Sequence, residues 1–170
     1  MRKLFHVLAT AFVLAASAAA GLSMAETSAD RRAQQARTFP KLTPIYRISG
    51  IFDTGAGNLL GTATSVHCTN FGSSDARVQY VVRNSSGTKL TNPKVPLTAR
   101  RTLTASTHGT SAFIEFLLTP GTAIRQGSMI IKATTPKVHC TAMIVDASAS
   151  ASNGVALSLT RLNQEKNAQE

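Results

Sequence analysis

Apolar residues along most of this chain recur at every second position rather than every third or fourth, the spacing of a β-strand with one face buried. Residues 77–83 show it most clearly: Val78, Tyr80 and Val82 fall in one phase, and Arg77, Gln79 and Arg83 in the other. Residues 45–52 place Tyr46, Ile48 and Phe52 on one side and Arg47 and Ser49 on the other. The same reasoning predicts strands at 61–70, 88–90, 101–107, 112–118, 128–134, 138–146 and 154–162. Pro93 and Pro96 reduce residues 95–97 to an edge strand or coil, since proline donates no ladder hydrogen bond. Turn-forming clusters separate these runs about every ten residues, among them Asp53–Asn58 and the hairpin turn Asn84–Gly87. No segment beyond the first residues sustains a helical period. Roughly eight or nine short strands at that spacing predict an all-β fold, an antiparallel, immunoglobulin-like β-sandwich, with a barrel as the alternative.

Within that pattern one tetrapeptide occurs twice, as Val66-His67-Cys68-Thr69 and Val138-His139-Cys140-Thr141, and it contains both cysteines of the chain. Strand alternation puts Val66 and Cys68 on one face, and likewise Val138, Cys140, Ala142 and Ile144. Both sulfurs then point inward, where a bridge staples the two strands, and both histidines point out.

The first residues change the chemical setting. Arg2-Lys3 precedes an apolar run over residues 4–22 and then Ser23-Met24-Ala25, the pattern of a secretory signal peptide cut after Ala25. An uncleaved membrane anchor is the alternative, because the run is long for a signal core. An exported protein is periplasmic or extracellular, and in an oxidising compartment an even cysteine pair is a disulfide by default. Closing a loop of roughly 70 residues is worth on the order of 4 kcal/mol in the chain-entropy estimate. Removal of 25 from 170 residues leaves 145, enough for one domain at 44–163, with 26–43 a flexible basic tail and 164–170 a frayed C-terminus.

The chain carries 18 Lys and Arg against 8 Asp and Glu, and loss of Arg2 and Lys3 with the leader leaves a surplus of +8. Such a surplus favours anionic cell-envelope polymers or a membrane surface, with Arg31, Arg32, Arg37 and Lys41 of the tail as the densest contact cluster. There is no Trp, and the few Tyr and Phe fit the core, so no stacking platform for specific nucleic-acid binding is expected.

Candidate catalytic chemistry is sparse. Ile51-Phe52-Asp53-Thr54-Gly55-Ala56 resembles the loop of aspartic proteases, in which two carboxylates share a proton and activate water. A chain this short supplies the second carboxylate only by dimerising. The bracing hydrophobic-hydrophobic-Gly segment is wanting, since Met129-Ile130-Ile131 is followed by Lys132 and Leu59-Leu60-Gly61 comes too early. Asp53 also suits an ordinary turn. A histidine and its neighbouring cysteine point to opposite faces, which disfavours a Cys2His2 zinc site; His67 and His139 alone make at most a weak metal site on the outer face. Ser106, His108 and Asp146 form a triad only on paper, and neither a Gly-x-Ser-x-Gly elbow nor a phosphate loop is present. The expectation is a non-enzymatic binding or surface-associating protein with no cofactor.

The strings 61–71, Thr104-Ala105-Ser106-Thr107-His108-Gly109-Thr110, Gln126-Gly127-Ser128, Cys140-Thr141-Ala142-Met143-Ile144-Val145-Asp146 and Gly154-Val155-Ala156-Leu157 resemble a family of small exported bacterial proteins of unknown function. The resemblance covers about residues 46–163. It implies a secreted β-sandwich-like domain that keeps its cysteine pair, and it brings no activity with it.

Overall fold

A computed structural model describes residues 40–150 and 153–162, so the leader, the tail residues Arg31, Arg32 and Arg37, and the C-terminal residues 163–170 lie outside the described residues. Eleven strands and no helix make up the described chain: β1 (Thr43–Asp53), β2 (Thr62–Asn70), β3 (Ala76–Arg83), β4 (Lys89–Thr91), β5 (Lys94–Leu97), β6 (Thr102–Ser106), β7 (Glu115–Leu117), β8 (Ile124–Ala133), β9 (Val138–Asp146), β10 (Gly154–Leu157) and β11 (Leu159–Arg161). A six-stranded sheet is ordered β11-β1-β8-β3-β4, with β5 also paired to β3, and a five-stranded sheet is ordered β10-β9-β2-β6-β7. Neighbours are antiparallel except β6 and β7, which run parallel. The arrangement is an open sandwich and not a closed barrel. Among the described residues no helix is long and apolar enough to cross a membrane.

The core lies between the sheets because the inward phase of each strand is apolar. Ile48, Val78, Tyr80, Val82 and Ile131 from the larger sheet meet Val66, Cys68, Ala105, Val138 and Ala142 from the smaller. Each large apolar side chain removed from water in this way contributes about 1.5–3 kcal/mol. Thr64 ties the sheets together: its hydroxyl accepts from the Phe52 amide at 2.9 Å and donates to the Phe52 carbonyl at 2.7 Å.

Strand number exceeds the expected eight or nine mainly at the C-terminus, where residues 154–162 form two strands rather than one. β10 pairs with β9 in the smaller sheet, and after Ser158 the chain passes to β1 in the larger, so β11 lies on the other layer. The apolar phase runs through the crossing, as Leu157 and Leu159 both pack on the core. Pro96 stands in β5, which pairs only with β3 and so loses nothing by lacking an N–H on its outer edge.

Residues 112–118 shrink to the three-residue β7, and residues 107–114 become a loop against the smaller sheet. There Phe113 and Met143 pack on Ala63, Val145 and Ala147, a second apolar cluster separate from the main core. The first half of β2 is therefore buried on both faces, from Ala63 to Val66. For the same reason Val145 is buried, whereas Ile144, expected inside, is only half-buried.

Candidate functional site

A buried polar pair joins two loops at one end of the sandwich. Asp53 closes β1, and His108 lies just past the end of β6, on a backbone held by paired bonds between Thr64 and Thr107: Thr107 N to Thr64 O and Thr64 N to Thr107 Oγ1, both 3.0 Å. His108 Nδ1 stands 3.0 Å from Asp53 Oδ2, with Asp53 2 % and His108 8 % exposed. The second oxygen, Asp53 Oδ1, accepts the Gly55 amide at 2.6 Å. Gly55 and Gly61 adopt φ of +69° and +68°, left-handed values that bend the 54–61 loop back so that its carbonyl at Leu60 reaches His108.

Hydrogen-bond valence then decides what this pair can do. His108 Nε2 lies 3.0 Å from the Leu60 carbonyl, which only accepts, so Nε2 carries a hydrogen. One further proton lies between Nδ1 and Oδ2, on either partner. In both forms neither ring nitrogen keeps a lone pair for a nucleophile, as a general base would need. The pair borders a cleft of about 220 Å³ that is also lined by Gly55, Thr107, Pro120 and Gly121.

Asp53, the sequence candidate for acid catalysis, thus has an imidazole from its own chain as partner where an aspartic-protease site has a second carboxylate. Ser106, His108 and Asp146 are not brought together. Ser106 Oγ is buried and bonded to Ser65 Oγ at 2.7 Å and to the Glu115 carboxylate, which also accepts from the Thr110 amide and hydroxyl. Asp146 instead accepts the Ser148 hydroxyl and amide at 2.7 and 2.9 Å, bonds that hold its carboxyl below the usual carboxylate range.

Cys68 and Cys140 oppose each other directly in the β2–β9 ladder, Cα atoms 4.1 Å apart and sulfurs joined. The link therefore lies between adjacent strands of one sheet. His67 opposes Thr141 and Thr69 opposes His139, which sets the two imidazoles diagonally on the outer face, bordering a shallow pocket. Their surroundings differ. His67 Nδ1 pairs with Thr104 Oγ1 at 2.9 Å, and its ring meets Phe113 edge-on at 4.6 Å; burial lowers its pKa, and the nearby Glu115 charge partly opposes that. His139 is exposed, with an Arg161 guanidinium nitrogen 3.2 Å from both ring nitrogens. A fixed positive charge at that distance disfavours a metal cation there.

Of the expected tail contacts only Lys41 is described, and it is exposed. The described residues hold 12 Lys and Arg against four acids, and two of those acids, Asp53 and Glu115, are turned into hydrogen-bond networks. Pattern reading passed over the Asp53–His108 pair and the Glu115 network. Asp53 and His108 each stand out singly in the sequence, but 55 positions separate them and no spacing marks their pairing. No family model, curated protein or solved structure matches this chain.

Proposed function

We propose that this chain is an exported, non-enzymatic β-sandwich protein, periplasmic or extracellular, that associates through positive charge with anionic polymers or membrane surfaces of the cell envelope. The observation that carries the reading is the partition of charge: Asp75 and Asp146 are the exposed acids among the described residues, against a surface set with Lys and Arg. Steering by such a field needs no shaped pocket. The non-enzymatic part is supported by the engaged valences of Asp53 and His108. Export is supported by the leader pattern and by the paired cysteines, and the reading includes a disulfide kept in the mature protein. Kinship with the small exported bacterial family and an immunoglobulin-like form of the sandwich belong to the same proposal, although immunoglobulin bridges span the two sheets and this one lies within a sheet.

The test is binding of the mature protein to immobilised heparin and to vesicles with and without anionic lipid, across a salt series. Binding to the anionic supports alone, lost by about 0.5 M salt where the Debye length is a few Å, is the expected result. Binding that survives such salt, or none at any salt, overturns the charge-driven reading. A pepstatin-sensitive cleavage by the mature protein, lost in an Asp53→Asn variant whose melting curve shows it folded at the assay temperature, overturns the non-enzymatic one.

A further inference from the structure

Register determines which side chains stand on the outer face of the six-stranded sheet, because residues opposite one another in neighbouring strands point the same way. Tyr46, Ile131 and Tyr80 form one inward row. The outward positions between such rows carry cations on every strand from β1 to β5 across the sheet. Lys132 of β8 adjoins Gln79 of β3, which adjoins Lys94 of β5. Arg47 of β1 adjoins Ile130 of β8, and Arg83 of β3 adjoins Lys89 of β4. No carboxylate occupies any of these rows.

None of Arg47, Arg83, Lys89, Lys94 and Lys132 is in an ion pair among the described residues. Arg83 Nη1 donates to the Gly87 carbonyl at 2.6 Å, which fixes the guanidinium without cancelling its charge. Strand spacing and rise put the five over a field of about 14 by 13 Å. The field is two-dimensional. A linear polyanion follows one row at a time, whereas a planar array of anions meets every row together. No aromatic ring stands in these rows for stacking on a base.

We propose that this face is a docking surface for an anionic lipid bilayer, its five cations set against headgroup phosphates. This rests on the charge-driven reading above and gives it an address in the fold. A basic side chain at an anionic membrane surface is worth about fivefold in binding, so neutralising three costs about 100-fold.

The experiment compares the mature chain with Arg47→Gln/Lys94→Gln/Lys132→Gln and with a control of equal charge, Arg100→Gln/Arg101→Gln/Lys137→Gln, on phosphatidylglycerol vesicles and on heparin. All six positions are surface sites outside the core, and melting curves check that both variants fold. Loss of about 100-fold on vesicles for the face variant, with no more than a few-fold for the control, supports the proposal. Equal losses in the two variants overturn it while the charge-driven reading stands. A face variant that loses heparin but keeps vesicles overturns it in favour of a linear polyanion. A wild-type chain that binds neither support at low salt ends both.

Discussion

Asp53 and His108 lie 55 positions apart in the chain and meet at 3.0 Å in the protein interior, the imidazole held on its far side by the Leu60 carbonyl. The contact pins the 54–61 loop to the 107–114 loop, and neighbouring backbone bonds, Leu59 N to Gly109 O at 2.8 Å among them, reinforce it. Each member of the pair satisfies a buried polar atom of the other.

Asp53→Asn should therefore destabilise the fold by about 3 kcal/mol, since removing one partner strands the other in the interior. His108→Gln should cost a similar amount. In denaturant unfolding of both single variants and the double, the double is expected to cost clearly less than the sum, with a coupling above ~1 kcal/mol. Additive single effects would show that the two side chains do not act together.

The Cys68–Cys140 link joins residues 72 apart in sequence. Replacing both by Ala removes a loop constraint worth about 4 kcal/mol, and a melting temperature lowered by roughly 15 °C is the expected outcome. Intact mass with alkylation, before and after reduction, checks the premise. Two thiols alkylated without reductant would refute it.

Tyr80 is fully buried with its hydroxyl unpartnered among the described residues, and burial raises its pKa. Removing that oxygen relieves an unpaired polar group without changing the packed ring. Tyr80→Phe is expected to be neutral or stabilising by up to about 1 kcal/mol in chemical denaturation. A loss of more than ~1 kcal/mol would reveal a hydrogen bond in solution.

Burial lowers the pKa of His67 from 6.5, so the folded protein binds fewer protons than the unfolded chain as pH falls through that value. Its contribution is complete above pH 6.5 and is lost as pH falls from there toward the depressed folded value. Melting temperatures at neutral pH and near pH 5 should converge in His67→Gln relative to wild type. Glu115 raises the His67 pKa, so Glu115→Gln should steepen the acid loss. An unchanged pH profile in His67→Gln would place the acid sensitivity elsewhere.

Alternation alone determined much of this protein. Residues 77–83 read as a strand and form one, 138–146 coincide with β9, and the shared phase of Cys68 and Cys140 put both sulfurs inside. Side-chain direction along a strand follows from backbone geometry, so period and phase are local facts that a sequence carries. Which strands become neighbours is not local. The passage from β10 to β11 across the sandwich leaves the apolar phase unbroken and has no sequence mark. The loop that buries β2 on its second face, the imidazole that reaches Asp53 and the grid of cations on the larger sheet all depend on long-range pairing. Only the tertiary structure decided them, because period 2 tells which way each side chain points and nothing about what stands opposite.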